Sequence, residues 1–108
     1  MPFLSERRIH PRYAVQKIVS YRYKHKKYLT LTLNVGLGGI QIKTHCGLPE
    51  GEHLDLEFVL GSTSIRLKGR TVYSESLPGG QRVSGVQFTG MSYQGHSMLR
   101  GYLSILEK

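Results

Sequence analysis

Residues 28–35, "YLTLTLNV", alternate between apolar and polar positions: Leu29, Leu31, Leu33 and Val35 share one parity, and Tyr28, Thr30, Thr32 and Asn34 share the other. A period of two belongs to a β-strand, where successive side chains point to opposite faces. The period recurs along the chain. From Tyr13, the positions Val15, Lys17, Val19, Tyr21 and Tyr23 fall on one side with Ile18 opposite, which predicts a strand ending in a turn at "HKK", residues 25–27. Ile40 and Ile42 are in phase in "IQIKT", and Leu54, Leu56, Phe58 and Leu60 are in phase in "HLDLEFVL". Gly61-Ser62 has the length and composition of a two-residue hairpin turn. Ile65 and Leu67 continue beyond it, the apolar phase changes by Val72, and Gly69 marks a bulge. A last strand carries Val86 and Phe88 inward.

The final segment has a different period. Met98, Leu99, Tyr102, Leu103 and Leu106 make the stripe of an amphipathic helix, and Ser92 can cap its start. Gly95 and Gly101 each lower its intrinsic propensity by roughly 1 kcal/mol, so the helix is expected to depend on docking against the strands. Six strands joined by connections too short for parallel crossovers, followed by one helix, predict a mainly β fold. The expected architecture is a six-stranded antiparallel β-barrel with a C-terminal α-helix over its mouth or seam.

Composition narrows the setting. A chain of 108 residues, 39% hydrophobic and 20% charged, suits one globular domain. Its single cysteine, Cys46, excludes an intramolecular disulfide and a CxxC metal knuckle, and fits a reducing compartment. No apolar run approaches the ~20 residues of a membrane span. The start, "MPFLSERR", places its charges after a short apolar stretch, the reverse of a secretory signal. The expected location is cytoplasmic.

The charge is concentrated. Residues 1–27 hold eight of the 15 Lys and Arg but one of the 7 Asp and Glu, so nearly all of the net charge of +8 sits in the first quarter. Such a concentration favours an anionic partner. Pro2 and Pro11 argue against regular structure before Tyr13, so residues 1–12 are expected to form a flexible arginine arm and residues 13–108 the barrel with its helix.

The sequence carries no GxSxG, HExxH or P-loop signature. Asp55 and Glu57 have the parity opposite to Leu54–Leu60 and are expected to face water. His45 beside Cys46 is a weak hint of metal or nucleophile chemistry, and the other histidines are scattered. No catalytic residue, metal or cofactor is expected, and the chain is not expected to be an enzyme. Two other stretches carry more information. Arg7, Arg8 and Arg12 lie in "RRIHPR", and guanidinium groups match phosphate oxygens and the O6/N7 edge of guanine while stacking on π faces. In an extended chain Arg8 and Arg12 lie up to ~13 Å apart and can point to one side. Asn34-Val35-Gly36-Leu37-Gly38-Gly39 adds an amide able to read a base edge, followed by glycines that permit positive φ and close approach of backbone N–H groups.

The order of these elements resembles the PilZ domain family, bacterial receptors for the second messenger cyclic di-GMP. An RxxxR arm, Arg8 to Arg12, leads into a strand hairpin; a turn similar to [D/N]-x-S-x-x-G follows at Asn34–Gly39. "GGIQI", "GRTVYSE" and "GVQF" resemble the family's later strands. The resemblance implies a cyclic di-GMP ligand and no separate cofactor. By position it implies that Arg8 and Arg12 contact guanine and phosphate, with Arg7 an additional arginine. It also implies that Asn34 reads a guanine edge and that Gly39 closes the turn, with Gly36 and Gly38 lining it. Ligand capture would alter the arm and regulate a protein partner in motility, adhesion or exopolysaccharide output. Gly36 departs from the pattern, standing where the family has Ser; a missing hydroxyl contact to a charged group is worth roughly 1.5–3 kcal/mol, so Gly36→Ser is expected to tighten binding. The same departure suits an alternative, a PilZ-like protein-interaction adaptor without the ligand. A third possibility is a basic barrel binding single-stranded nucleic acid with Tyr21 and Tyr23 as stacking platforms; DNA and RNA are the least expected partners.

Overall fold

The computed structural model describes residues 11–45 and 47–106. Its strands are β1 (Arg12–Tyr13), β2 (Ile18–Tyr23), β3 (Lys26–Gly36), β4 (Gly39–Thr44), β5 (His53–Leu60), β6 (Thr63–Ser76) and β7 (Arg82–Met91), followed by the helix α1 (Tyr93–Leu106). All pairings are antiparallel. The order β3-β2-β5-β6-β7-β4 closes into a six-stranded barrel because β4 also pairs with β3. The short β1 adds a seventh strand at the end of β3, with Arg12 opposite Gly36 and Tyr13 opposite Val35. The fold is therefore mainly β, with the expected barrel, one extra strand and a single C-terminal helix among the described residues.

The expected single strand from Tyr13 to Tyr23 is divided. Residues 14–17 leave the ladder, and Thr32 holds them instead: its hydroxyl donates to the Val15 carbonyl at 2.6 Å and accepts from the Lys17 N–H at 2.9 Å. The turn after β2 comes one residue early. Lys24 and His25 both have positive φ, 51° and 67°, as a two-residue hairpin between right-twisted strands requires.

The core is the barrel interior, filled by Val19, Tyr21, Val35, Ile40, Ile42, Leu54, Leu56, Phe58, Ile65, Leu67 and Val86. Strand alternation explains most of it: Leu54, Leu56 and Phe58 are buried, while Asp55 is exposed. One strand departs from the expected pattern. Leu29, Leu31, Leu33 and Val35 do not share a face. Leu29 is 67% exposed, Thr32 and Val35 are both fully buried, and a register shift lies between Thr32 and Asn34. The bulge inserts one residue and reverses parity beyond it. Inward positions run Tyr28, Thr30, Thr32 before it and Val35 after it, because each pairs with an inward neighbour: Tyr21, Val19, Ile42 and Ile40.

Strand β6 carries two such shifts against β7, one at the expected Gly69 and one between Thr71 and Tyr73. The second is the phase change noted at Val72. Helix α1 buries Gly95, Leu99 and Leu103. Ser92 caps it, its hydroxyl accepting from the Gly95 N–H at 3.0 Å. The helix lies over Phe58 and Ile65: Tyr102 meets the Phe58 ring edge-on at 6.5 Å, and Gly95 lets the backbone pass close to Ile65. No helix of the described residues is long and apolar enough to cross a membrane.

Candidate functional site

Arg12 is the first residue of the sheet. Pairing with Gly36 sets it beside the β3–β4 turn, residues 37–38, and its side chain reaches back along β3. Its Nη1 donates to Asn34 Oδ1 at 3.3 Å. Its Nη2 lies 3.2 Å from where a Cβ on Gly39 would stand. One guanidinium thus spans from Asn34 to Gly39, residues 22 and 27 positions further along the chain. Arg7 and Arg8 lie outside the described residues, as does Cys46.

The glycines of the turn serve close approach rather than left-handed backbone. Gly51, Gly61, Gly79 and Gly80 have positive φ; Gly36 and Gly39 do not. At Gly36 a Cβ would come within 2.9 Å of the Pro11 carbonyl oxygen and 3.0 Å of Arg12 Cγ. At Gly39 it would collide with the Val86 carbonyl oxygen. Gly36 therefore lets β1 lie flat on β3, and Gly39 lets β4 enter the ladder beside β7. Gly38 is exposed, and its carbonyl accepts from the Phe88 N–H at 2.9 Å. A serine at position 36 would therefore press on the strand that carries Arg12 before its hydroxyl could serve any contact.

Asn34 lies within β3, which runs on to Gly36. Its amide continues a line of polar groups across the outer wall. Asn34 Nδ2 donates to Gln41 Oε1 at 3.0 Å, and Gln41 Nε2 donates to Tyr73 Oη at 2.8 Å. The line follows the register: Asn34 is opposite Gln41, Gln41 opposite Gly85, and Gly85 opposite Tyr73. Gly85 is the gap in the line, and the Tyr73 ring occupies the space its Cβ would need. Gln41 and Tyr73 escape a sequence reading, since "IQIKT" and "TVYSE" show only alternating strand residues; the usable signal was the phase change at Val72. One row along the same wall, Gly39 is opposite Gln87 and Gln87 opposite Arg70, which places a further arginine on the same outer face.

Asp55 is held below the usual carboxylate range by the hydrogen bond from Lys68, 2.9 Å, and then by its charge. Glu57 accepts from the Ser64 hydroxyl at 2.9 Å. Both line an outer groove with Ser20, Arg22, Arg66 and Lys68, on the β2–β5–β6 wall. His45 Nδ1 lies 3.4 Å from Tyr21 Oη, and among the described residues no group of three or more His, Cys, Asp or Glu is placed to hold a metal. Tyr21 is fully buried and stacked on Tyr28 at 5.0 Å, so it is not a platform for bases.

The sequence from residue 6 to 104 matches the PilZ domain. No curated protein matches it. Among solved structures, the inhibitor of motility MotI/DgrA of Bacillus subtilis superposes with a TM-score of 0.84 at 18% identity, over 94% of this chain and 51% of that one. The PilZ domain of YcgR from Escherichia coli with c-di-GMP gives 0.76 at 13% identity, over 94% and 92% of the two chains. The K. pneumonia MrkH–c-di-GMP complex gives 0.79 at 17% identity, over 93% and 51%. This chain spans about half the length of MotI/DgrA and of MrkH. At these identities the superpositions speak for the fold; the sequence match, covering nearly the whole chain, speaks for the family. The chain belongs to the PilZ domain family.

Proposed function

We propose that this chain is a receptor module for cyclic di-GMP, binding it on the outer wall at the β3–β4 turn. The observation that carries the proposal is the Arg12 guanidinium laid from Asn34 to Gly39, within a chain whose sequence matches the PilZ domain. Arg12 supplies a planar, donor-only cation for guanine and phosphate, and Asn34 supplies the amide that reads a guanine edge. Arg8 and Arg7, four and five residues before Arg12, complete the arginine set on the arm. The turn glycines, Gly36, Gly38 and Gly39, keep the wall low enough for a flat ligand. YcgR, MrkH and the PlzA protein of Borreliella burgdorferi, each with this fold, are bound to c-di-GMP in their structures, which supports the ligand class. The module acts by capture rather than catalysis, in the cytoplasm, and passes the signal to a protein partner through the strand and arm that hold the arginines.

Calorimetric titration of the free chain with cyclic di-GMP, GTP and single-stranded DNA tests this. Saturation by cyclic di-GMP alone is the expected result. Arg8→Ala or Arg12→Ala should each cost at least tenfold in affinity, about 1.4 kcal/mol, with the melting temperature of the free protein almost unchanged. Wholesale loss of apo stability would make those arginines structural. Two observations favour a second reading: Arg12 Nη1 is engaged by Asn34 Oδ1 within the protein itself, and Gly36 lacks the serine hydroxyl. Absence of binding to all three probes would identify a ligand-free adaptor. Salt-dependent binding to DNA of any sequence would identify a nucleic-acid binder.

A further inference from the structure

We propose that Gln41 and Tyr73 are positioning residues that fix which end of the Asn34 amide meets the ligand, and so set its preference for guanine over adenine. The inference rests on the receptor reading above. A side-chain amide has two ends of nearly identical shape and opposite hydrogen-bonding character. Rotation of Asn34 by half a turn would present N–H groups where the site needs an acceptor. Its neighbours remove that freedom.

The direction of the chain follows from its first member. Arg12 has donors only. Facing Nη1 at 3.3 Å, Asn34 must offer Oδ1. Its Nδ2 is then directed at Gln41 Oε1, 3.0 Å away, which forces Gln41 Nε2 toward Tyr73 Oη at 2.8 Å. The phenol oxygen accepts at the end of the line; because its own O–H can also donate, Arg12 sets the direction and Tyr73 completes it. All four residues are half-buried, so the groups are screened from water yet reachable from outside.

The backbone is shaped for this contact. The bulge between Thr32 and Asn34 turns Asn34 to the outer wall, where strict alternation from the buried Thr32 would turn it in. The shift between Thr71 and Tyr73 does the same for Tyr73. Strands β4 and β7 lie between them, and Gly85 on β7 is the position over which the Tyr73 ring crosses to reach Gln41. Two separate irregularities and one missing side chain thus converge on a single polar line.

With Arg12 Nη1 kept on one lone pair of Oδ1 and Nδ2 held by Gln41, the second lone pair of Oδ1 is the end that meets a ligand. A guanine edge offers N–H donors from its ring and exocyclic nitrogens to such an acceptor. Adenine has a ring acceptor at the corresponding place and is disfavoured. With an aspartate at position 34 the two ends become equivalent oxygens, and nothing remains for the relay to decide. Gln41 would then turn Nε2 toward the carboxylate of its own accord.

That difference supplies the test. Tyr73→Phe keeps the ring over Gly85 and removes the oxygen. In the native background it should weaken cyclic di-GMP binding about three- to tenfold and narrow the ratio of cyclic di-GMP to cyclic di-AMP affinity. In the Asn34→Asp background the same change should cost less than about twofold. Equal losses in the two backgrounds would make Tyr73 merely structural and overturn the proposal. An independent measurement needs no ligand: in the free protein, the side-chain amide resonances of Asn34 and Gln41 should both shift on Tyr73→Phe, and on Gly85→Ala, which displaces the ring without removing a polar group. Unmoved Asn34 resonances would also overturn it. A native chain that binds no cyclic di-GMP would defeat the receptor reading instead, while the amide resonances would still decide whether the relay exists.

Discussion

Arg12 and Gly36 face one another across a pair of strands, and neither can be understood alone. The arginine lies close because the glycine has no Cβ; a side chain there would meet the Pro11 carbonyl oxygen at 2.9 Å. Gly36→Ser is therefore expected to weaken cyclic di-GMP binding severalfold, read by the same titration. Tightening would show that β1 yields readily and that the hydroxyl reaches the ligand. Gly39 differs in degree: its Cβ would collide with the Val86 carbonyl oxygen inside the β4–β7 pairing, whereas Gly36 faces the two-residue edge strand β1. Gly39→Ala should lower the stability of the free protein by about 1–3 kcal/mol in denaturant unfolding, the usual cost of overpacking. The residue types at these positions were legible in the sequence. Their reason was not, because the need for glycine comes from Pro11 and Val86, 25 and 47 positions away.

At the level of elements, alternation located every barrel strand, and it failed where a bulge intervened. "YLTLTLNV" reads as an unbroken period, yet Leu29 is on the outside and Val35 on the inside. Bulges leave no sure mark in a single strand, since the extra residue is defined only against the partner. The helix was legible from its stripe and its Ser92 cap, and its two glycines now separate. Gly95 is buried against Ile65, where a Cβ would approach Cγ2 to 2.9 Å, while nothing lies within 4 Å of the corresponding position at Gly101. Gly101→Ala should stabilise the protein by roughly 1 kcal/mol, raising the melting temperature by about 4–8 °C. Gly95→Ala should lower it by forcing α1 away from β6. A loss of stability from Gly101→Ala would mean that the helix face at 101 is occupied.

For the molecule as a whole, stability depends on α1 staying on the barrel, and Tyr102 reports on that docking. Desolvation raises its phenol above the ordinary value of 10.0, with the ring edge-on to Phe58 and the Lys17 ammonium 5.4 Å from its centre. A raised value in the fold means that the neutral phenol is favoured there. Its contribution is thus fully present below the unfolded value and is lost as pH rises through the folded one. Thermal melts of Tyr102→Phe should match the native protein at pH 8 and fall less steeply above pH ~10. Parallel alkaline curves would place the phenol in water. The concentrated charge also acquires a place at this scale. Lys24, His25, Lys26 and Lys27 surround the β2–β3 turn at the far end of β3 from Gly36, so much of the basic first quarter stands apart from the Arg12 site.

The sequence by itself determined the alternation that makes six barrel strands, the helical stripe that covers them, and the arginines and glycine turn that mark the family. These depend on the chemistry of residues close together in the chain. The tertiary structure alone decided which way Asn34 and Tyr73 point, why Gly36, Gly39 and Gly85 lack side chains, and that Gln41 joins them. Each of those is a relation between strands distant in sequence, fixed by pairing register and by the space one backbone leaves for another.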